Sequence, residues 1–445
     1  MKYWAFIGLL CLNLYHYQHP INSAVFLAIG VFLIFCLCFE CRKNGSAAGA
    51  LMELLVFTWP ISWVNIFGTP TSDLQLPWFY IVCFCFVLYA FCNIKVMLQA
   101  RNEALILICF LLLLIYLVVP LLQSQSFAEG MKDYVMIGVF CIVLFVAFVM
   151  RDRISMDIKD KIVFDIVFMN FICALFIIFQ YYMFHFHGVK LFKLETPLSF
   201  GGVQTSCSLL FEDPSCSTIM LGCGCFYAFL SGREHKYRYF IFLITLIGLA
   251  LTSRRTSVIC LIIILGVYYL IHYRNVKRIL SVSVFVIIAA MGLYVLNLSR
   301  PVGSYIQFVN DNGRLPDYIS GLKVFAQHPL FGIGYDNIYL ASLMTRGIIP
   351  HNTVLRWLDM GGIFLAVPLV VIICYVIVEA YRKKFTGDFW VLLYVVFASN
   401  LIPDLLDGRF FIILCCMVLF TRSEKALKEP QSQISERFKR RLTDV

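Results

Sequence analysis

Residues 103–122 read EALILICFLLLLIYLVVPLL, twenty positions whose only charge is the first. A hydrocarbon core of about 30 Å takes roughly 20 helical residues to cross, and a helix keeps every backbone N–H and C=O bonded inside itself, so this stretch is predicted to span a bilayer. Working outward, comparable stretches fall near 3–17, 22–40, 47–66, 77–95, 134–150, 162–184, 215–231, 238–252, 256–272, 279–297, 352–378, 388–402 and 409–421. The expected fold is therefore an all-α polytopic membrane protein of about 14 transmembrane helices, with a range of 12 to 14 because stretches such as 238–252 and 388–402 are short.

Composition agrees: hydrophobic residues make up 61% of the 445 positions and charged residues 14%, and the mean hydropathy is +0.85, which excludes an ordinary soluble domain. The chain reads as a single integral membrane domain over 1–445, with one large loop at 298–350 carrying short helices and a charged tail at 422–445. Most of the 18 cysteines lie in apolar runs such as 35–41, 82–92 and 414–418, where they act as small apolar residues; no pair shows metal spacing, and no metal site is expected. Residues 1–17 carry one lysine and no small-residue cleavage site, so they read as the first span.

Charge supplies the orientation. One set of connections carries Arg42 and Lys43, Lys95 and Arg101, Arg151, Arg153 and Lys159, Arg233, Lys236 and Arg238, Arg274, Lys277 and Arg278, and Arg382 to Lys384. The alternating set at 18–21, 67–76 and 123–133 is poor in cations, so the first set is expected in the cytoplasm together with both termini. The net charge of +10 then orients the protein against an anionic leaflet and implies no nucleic acid. Against that rule, Arg254, Arg255, Arg300, Arg314, Lys323, Arg346 and His351 map to the opposite, outer face.

Three polar islands hold four of these exceptions, Arg254, Arg255, Arg314 and His351: Ser253-Arg254-Arg255-Thr256, Asn312-Gly313-Arg314-Leu315-Pro316 and Pro350-His351-Asn352-Thr353. Cations at a membrane edge are costly and therefore functional candidates. An arginine there either recognises phosphate through its planar fork of donors or reaches to lipid headgroups. Only one of the adjacent Arg254 and Arg255 is easily turned into the bundle; Arg255 is favoured and Arg254 is the alternative. Within the long loop, Asn312-Gly313 makes a turn, Pro316 suits a first helical turn, and Ile319, Leu322, Val324 and Phe325 give an apolar face before His328-Pro329 stops the helix. Such a helix lies on the membrane surface or caps a cavity.

Phe331-Gly332-Ile333-Gly334-Tyr335-Asp336-Asn337 reads as a tight glycine turn, since no strand and helix flank it as nucleotide binding requires. His351 and Asn352 open the next span, either as a helix cap or as a base and a polar partner for a sugar hydroxyl. At Phe211-Glu212-Asp213-Pro214-Ser215, Asp213 or Ser215 caps a helix that Pro214 initiates, while Glu212 either shares in that junction or meets sugar hydroxyls.

At these residues the chain resembles the O-antigen polymerase and O-antigen ligase superfamily of membrane glycosyltransferases. The resemblance is strongest over LTSRRTS from Leu251, NGRLPDYISGLKVFAQHPLFGIGYDN from Asn312 and PHNTVLRWLDMGGI from Pro350, with FEDPS at 211–215 as an upstream element. It implies a metal-independent, inverting transfer at the periplasmic face of the inner membrane, without cofactor, from an undecaprenyl-diphosphate-linked donor. Arg255 (or Arg254) and Arg314 would hold the diphosphate, His351 would orient or deprotonate the acceptor hydroxyl, and Asn352, Glu212 and Tyr335 would contact substrate. Besides the lipid-linked glycan and membrane lipids, a chain-length-regulating co-polymerase is an expected partner. Polymerase is the first reading, ligase to lipid A core the second, and a transporter of the same lipid, for which Asp165 and Glu379 are the main intramembrane charges, a third of another class.

Overall fold

The computed structural model describes residues 1–43, 46–70, 76–93, 104–191, 194–195, 206–209, 214–230, 237–252, 255–272, 314–401 and 409–423, without the side chains of Leu194, Glu195, Ser206, Pro214, Ser215, Arg255, Thr256 and Arg314. In chain order the helices are α1 (Lys2–Gln18), α2 (Ser23–Arg42), α3 (Ala47–Thr58), α4 (Trp78–Cys92), α5 (Ala104–Tyr116), α6 (Val118–Gln123), α7 (Phe127–Val149) and α8 (Met156–His187). They continue as α9 (Pro214–Leu230), α10 (Arg238–Leu251), α11 (Arg255–His272), α12 (Arg314–Gln327), α13 (Asn337–Leu343), α14 (Thr353–Arg382), α15 (Thr386–Ser399) and α16 (Arg409–Phe420). Among the described residues, the only extended pairing between named strands is a two-residue antiparallel contact of Leu194–Glu195 with Ser206–Cys207.

Every expected span that falls on described residues corresponds to a helix, and the one at 279–297 lies outside them. By length and composition, Ser23–Arg42, Ala104–Gln123, Phe127–Val149, Met156–His187 and Thr353–Arg382 are long and apolar enough to cross a membrane, and shorter apolar helices surround them. Boundaries differ where chemistry intervenes. Pro120 has no N–H to offer the Tyr116 carbonyl, and the run 103–122 divides there into α5 and α6. Polar side chains start the helices: Ser126 accepts from Glu129 N–H, Ser155 from Ile158 N–H and Asn22 from Ala24 N–H. Gly188, at φ +68, closes α8 in the left-handed conformation.

α16 is the innermost helix, with all of its residues buried, and it packs on α7 and α14. Its last turn is held by Lys383, whose ammonium donates to the carbonyls of Val418 (3.0 Å) and Thr421 (2.8 Å) and pairs with Asp152 at 3.0 Å. Burial pulls the pKa of Lys383 down, and the Asp152 carboxylate opposes that shift. None of the 18 cysteines is joined in a disulfide.

One helix is broken. Gly362 sits at φ 63 and ψ −161, which divides α14 into an upper half from Thr353 and a lower half to Arg382. The turn after α12 fills the break: Ile333 N–H bonds the Asp359 carbonyl and Gly334 N–H the Met360 carbonyl, both at 2.9 Å, while Ile363 N–H bonds the Pro329 carbonyl at 2.9 Å. The Tyr116 hydroxyl closes the seam on the Gly361 carbonyl at 2.8 Å. A Cβ on Gly362 would collide with the Leu330 carbonyl, and one on Gly332, at φ +67, with the Met360 carbonyl. The glycine turn read from FGIGYDN is thus one side of a backbone-to-backbone junction whose other side is Gly361-Gly362.

Gly362→Ala should therefore lower stability by at least about 2 kcal/mol, from left-handed strain and the collision together. Gly138→Ala, where no atom lies within 4 Å of the added carbon, should leave it unchanged. Thermal melting of the two detergent-purified variants checks the difference, and equal melting would show that the break does not depend on glycine.

Candidate functional site

The ends of several helices meet on one side of the bundle. α9 and α10 are tied there by Thr218 and Thr252 (hydroxyl to hydroxyl, 3.0 Å), α11 and α15 by Tyr394 and the Ser257 carbonyl (3.4 Å), and α14 and α15 by Thr353 and the Ser399 carbonyl (3.4 Å). α12 joins through Tyr318, whose hydroxyl lies 3.0 Å from the His351 carbonyl and 2.8 Å from the Asn400 carbonyl. The backbone starts of α11 (Arg255), α12 (Arg314) and α14 (just after His351 and Asn352) are in this way gathered at one end.

His351 is half-buried at this end and Asn352 follows as the N-cap of α14. The Asn352 side chain accepts from Leu355 N–H at 2.9 Å and donates to the Asn400 carboxamide at 3.0 Å. It has a capping duty whatever else it touches. Tyr335 lies inside the bundle with its ring fully buried, and its hydroxyl finds no partner among the described residues. Its N–H bonds the Pro120 carbonyl at 3.2 Å, so it ties the loop to α6 within the 104–123 run. Arg255 and Arg314 are placed only as the first residues of α11 and α12, while Arg254 and Glu212 lie outside the described residues. Pro214 starts α9 as expected.

Sequence reasoning missed the buried polar groups beneath this end. Arg356, one turn after Asn352, pairs with Asp133 of α7 at 2.9 Å and donates to the Asn337 carboxamide oxygen at 2.9 Å; Asn337 in turn donates to Asp133 at 2.7 Å. The triad joins α7, α13 and α14. Above it, Asp336 caps α13 by accepting from Tyr339 N–H and also takes Ser126 N–H at the start of α7, both at 2.9 Å. Asp317 of α12 and Asp359 of α14 are buried in the same region, and neither Asp359 oxygen has a hydrogen-bond partner among the described residues. Gly321 of α12 packs against Asp359, Leu355 and Pro350 and brings the two helices together. The available signal was a charge inside an apolar helical run, as Arg356 and Asp359 are in PHNTVLRWLDMGGI.

Arg409 is a further buried cation, bonded to the Ser62 carbonyl and the Tyr80 hydroxyl and covered by the rings of Trp63 (4.6 Å) and Tyr80 (4.7 Å). These contacts hold it in place as an anchor for α16.

Residues 240–370, which hold the starts of α11, α12 and α14, match the O-antigen ligase family. The match covers less than a third of the chain, the part from α10 into α14. The matched segment runs from α10 through α11 and α12 to the lower half of α14, so it contains Arg255, Arg314, His351 and the glycine junction. No curated protein matches the chain. The family consists of glycosyltransferase-like membrane enzymes of O-antigen and lipopolysaccharide biosynthesis, which agrees with the apolar helices found here.

The buried pair is expected to be structural. Arg356→Ala leaves Asp133 buried and unpaired and should destabilise by about 3–5 kcal/mol, whereas the double variant Asp133→Leu with Arg356→Met should recover much of that loss. Unfolding of the three proteins in one detergent checks the prediction; a double variant as unstable as the single would contradict it.

Proposed function

We propose that the chain is an O-antigen polymerase that joins undecaprenyl-diphosphate-linked repeat units at the periplasmic face of the bacterial inner membrane. The observation that carries this reading is the gathering of the starts of α11, α12 and α14 at one end of the bundle, within the segment that matches the O-antigen ligase family. In the proposed reaction His351 takes the proton of an acceptor sugar hydroxyl, whose oxygen attacks the anomeric carbon of the donor from the face opposite the leaving group. The anomeric carbon–oxygen bond breaks, its electron pair departs with undecaprenyl diphosphate, and configuration inverts. Arg255 (or Arg254) and Arg314 hold the diphosphate and stabilise the charge that grows on it, a role for which the guanidinium fork is suited and which needs no metal in this scheme. Glu212 and Asn352 sit at the sugar side.

The same reading places both termini in the cytoplasm and uses 12 to 14 spans, the undescribed stretch 279–297 among them. A co-polymerase that sets chain length would meet the long loop. A ligase that transfers finished glycan to lipid A core is the second reading, favoured by the description of the matched family as O-antigen ligase. The transporter reading loses its best charge, because Asp165 is bound at 2.8 Å by Lys2, which also pairs with Glu53 at 3.1 Å, in a buried clamp between α1, α3 and α8.

A surface-glycan gel separates these readings. Cells lacking the gene should display single repeat units on lipid A core, and wild-type protein should restore the ladder. Arg255→Ala, Arg314→Ala and His351→Ala, each present in the membrane at wild-type level, should lower chain extension at least about 100-fold, with Arg→Lys rescuing poorly because an ammonium lacks the fork. Bare core with polymer accumulating on the carrier lipid would establish the ligase, and an unchanged ladder would overturn both.

A further inference from the structure

Helix α12 is inside out. Its buried residues recur at helical spacing and are mostly polar or small: Asp317, Ser320, Gly321 and Val324. The other side carries Leu315, Ile319 and Leu322 at 62%, 46% and 54% exposure. An amphipathic helix resting on a protein surface in water has the opposite arrangement, apolar in and polar out. The apolar face expected from the sequence, Ile319 with Leu322, Val324 and Phe325, is therefore split, and its first two members point away from the bundle with Leu315.

The turn that follows lies deep along the spans. It meets α14 at Gly361, eight residues below the Thr353 start, or about 12 Å at 1.5 Å per residue. It meets the 104–123 run at Tyr116, seven residues from the Gln123 end, or about 10 Å by the same rise. The ring of Phe331 lies 6.3 Å from Tyr116 and 5.5 Å from Phe364, and both spans carry exposed apolar residues such as Ile115 and Val367. Two independent spans thus put Leu330 and Phe331 at hydrocarbon depth, where non-helical backbone persists only if its polar groups are bonded internally. The break in α14 meets that condition, pairing Pro329, Ile333 and Gly334 with its own free groups. Charge agrees: between 315 and 350 the exposed ionic side chains are Lys323 and Arg346, while Asp317 and Asp336 are buried, a balance that suits anionic headgroups.

We propose that α12 and the turn through Phe331 form a re-entrant element embedded in the leaflet on the His351 side, with Leu315, Ile319, Leu322, Leu330 and Phe331 against phospholipid acyl chains. Its polar side, Asp317 to Gly321, closes over α14. The occupant of the apolar stripe is lipid, because the turn that follows it packs Phe331 on Tyr116 and Phe364, both within stretches long and apolar enough to cross a membrane.

The test places p-benzoylphenylalanine at Ile319, Leu322 or Phe331, one at a time in the full chain, and irradiates intact membranes. The expected result is a mass shift of one phospholipid on the purified protein at all three positions, removed by phospholipase treatment down to the attached fragment. A cross-link to a protein would show that the stripe is a docking face for a partner, and irradiated protein without lipid adduct would show that it faces water; either overturns the proposal. Because Ile319 and Leu322 are exposed, their replacement leaves the packing against α14 intact, and each gives a reading independent of Phe331.

Discussion

The exchange of backbone hydrogen bonds between the 329–334 turn and the broken helix α14 is the constraint on which the gathered end depends. A break at membrane depth frees carbonyls above it and N–H groups below it, and each unmet group costs several kcal/mol in hydrocarbon. Pro329, Ile333 and Gly334 meet them. The junction is possible only because Gly332 and Gly362 let two backbones approach without Cβ atoms between them. Everything on either side is then fixed: α12 lies across the upper half of α14, and Asp336 and Asn337 are delivered to the starts of α7 and α13.

From this junction the polar groups divide into layers. At the gathered end, Tyr318, Asn352 and Asn400 bind one another and the His351 carbonyl, which fixes the backbone that presents the imidazole. Below them, Asp133, Arg356 and Asn337 satisfy one another in the interior. These bonds cross three helices, so they hold α13 to the bundle from beneath.

Much of this was legible in the sequence. Apolar length alone located the helices, because nothing except a helix keeps its backbone bonded in lipid, and Pro316 and His328-Pro329 bounded α12 correctly. Helix starts were misjudged where charged residues extend a span: α7 begins at Phe127, ahead of Glu129, Lys132 and Asp133, and α8 begins at Met156. The break in α14 was not legible, since Gly361-Gly362 in an apolar run is equally compatible with close packing of a continuous helix. The setting of each polar residue was harder still to read. Asn352 and Tyr335 carry the same kind of signal in sequence, yet one caps α14 at the gathered end and the other is shut inside.

The charges at the opposite end complete the argument about orientation. Lys2, Lys159 and Lys383 belong to the cation-rich connections or the N-terminus, yet each is turned inward: Lys2 to Asp165 and Glu53, Lys159 to Asp388, and Lys383 to Asp152 and the end of α16. They act as staples between helices as well as topological signals, so the cations that remain to be explained are those of the gathered end. There Arg356 and Arg409 are committed to internal partners, so the diphosphate role proposed above falls to Arg314 and to Arg255 or Arg254. In the proposed reaction the interior arginines serve the scaffold and the helix-start arginines the diphosphate, a division that keeps the rigid frame separate from the groups that must meet an anion.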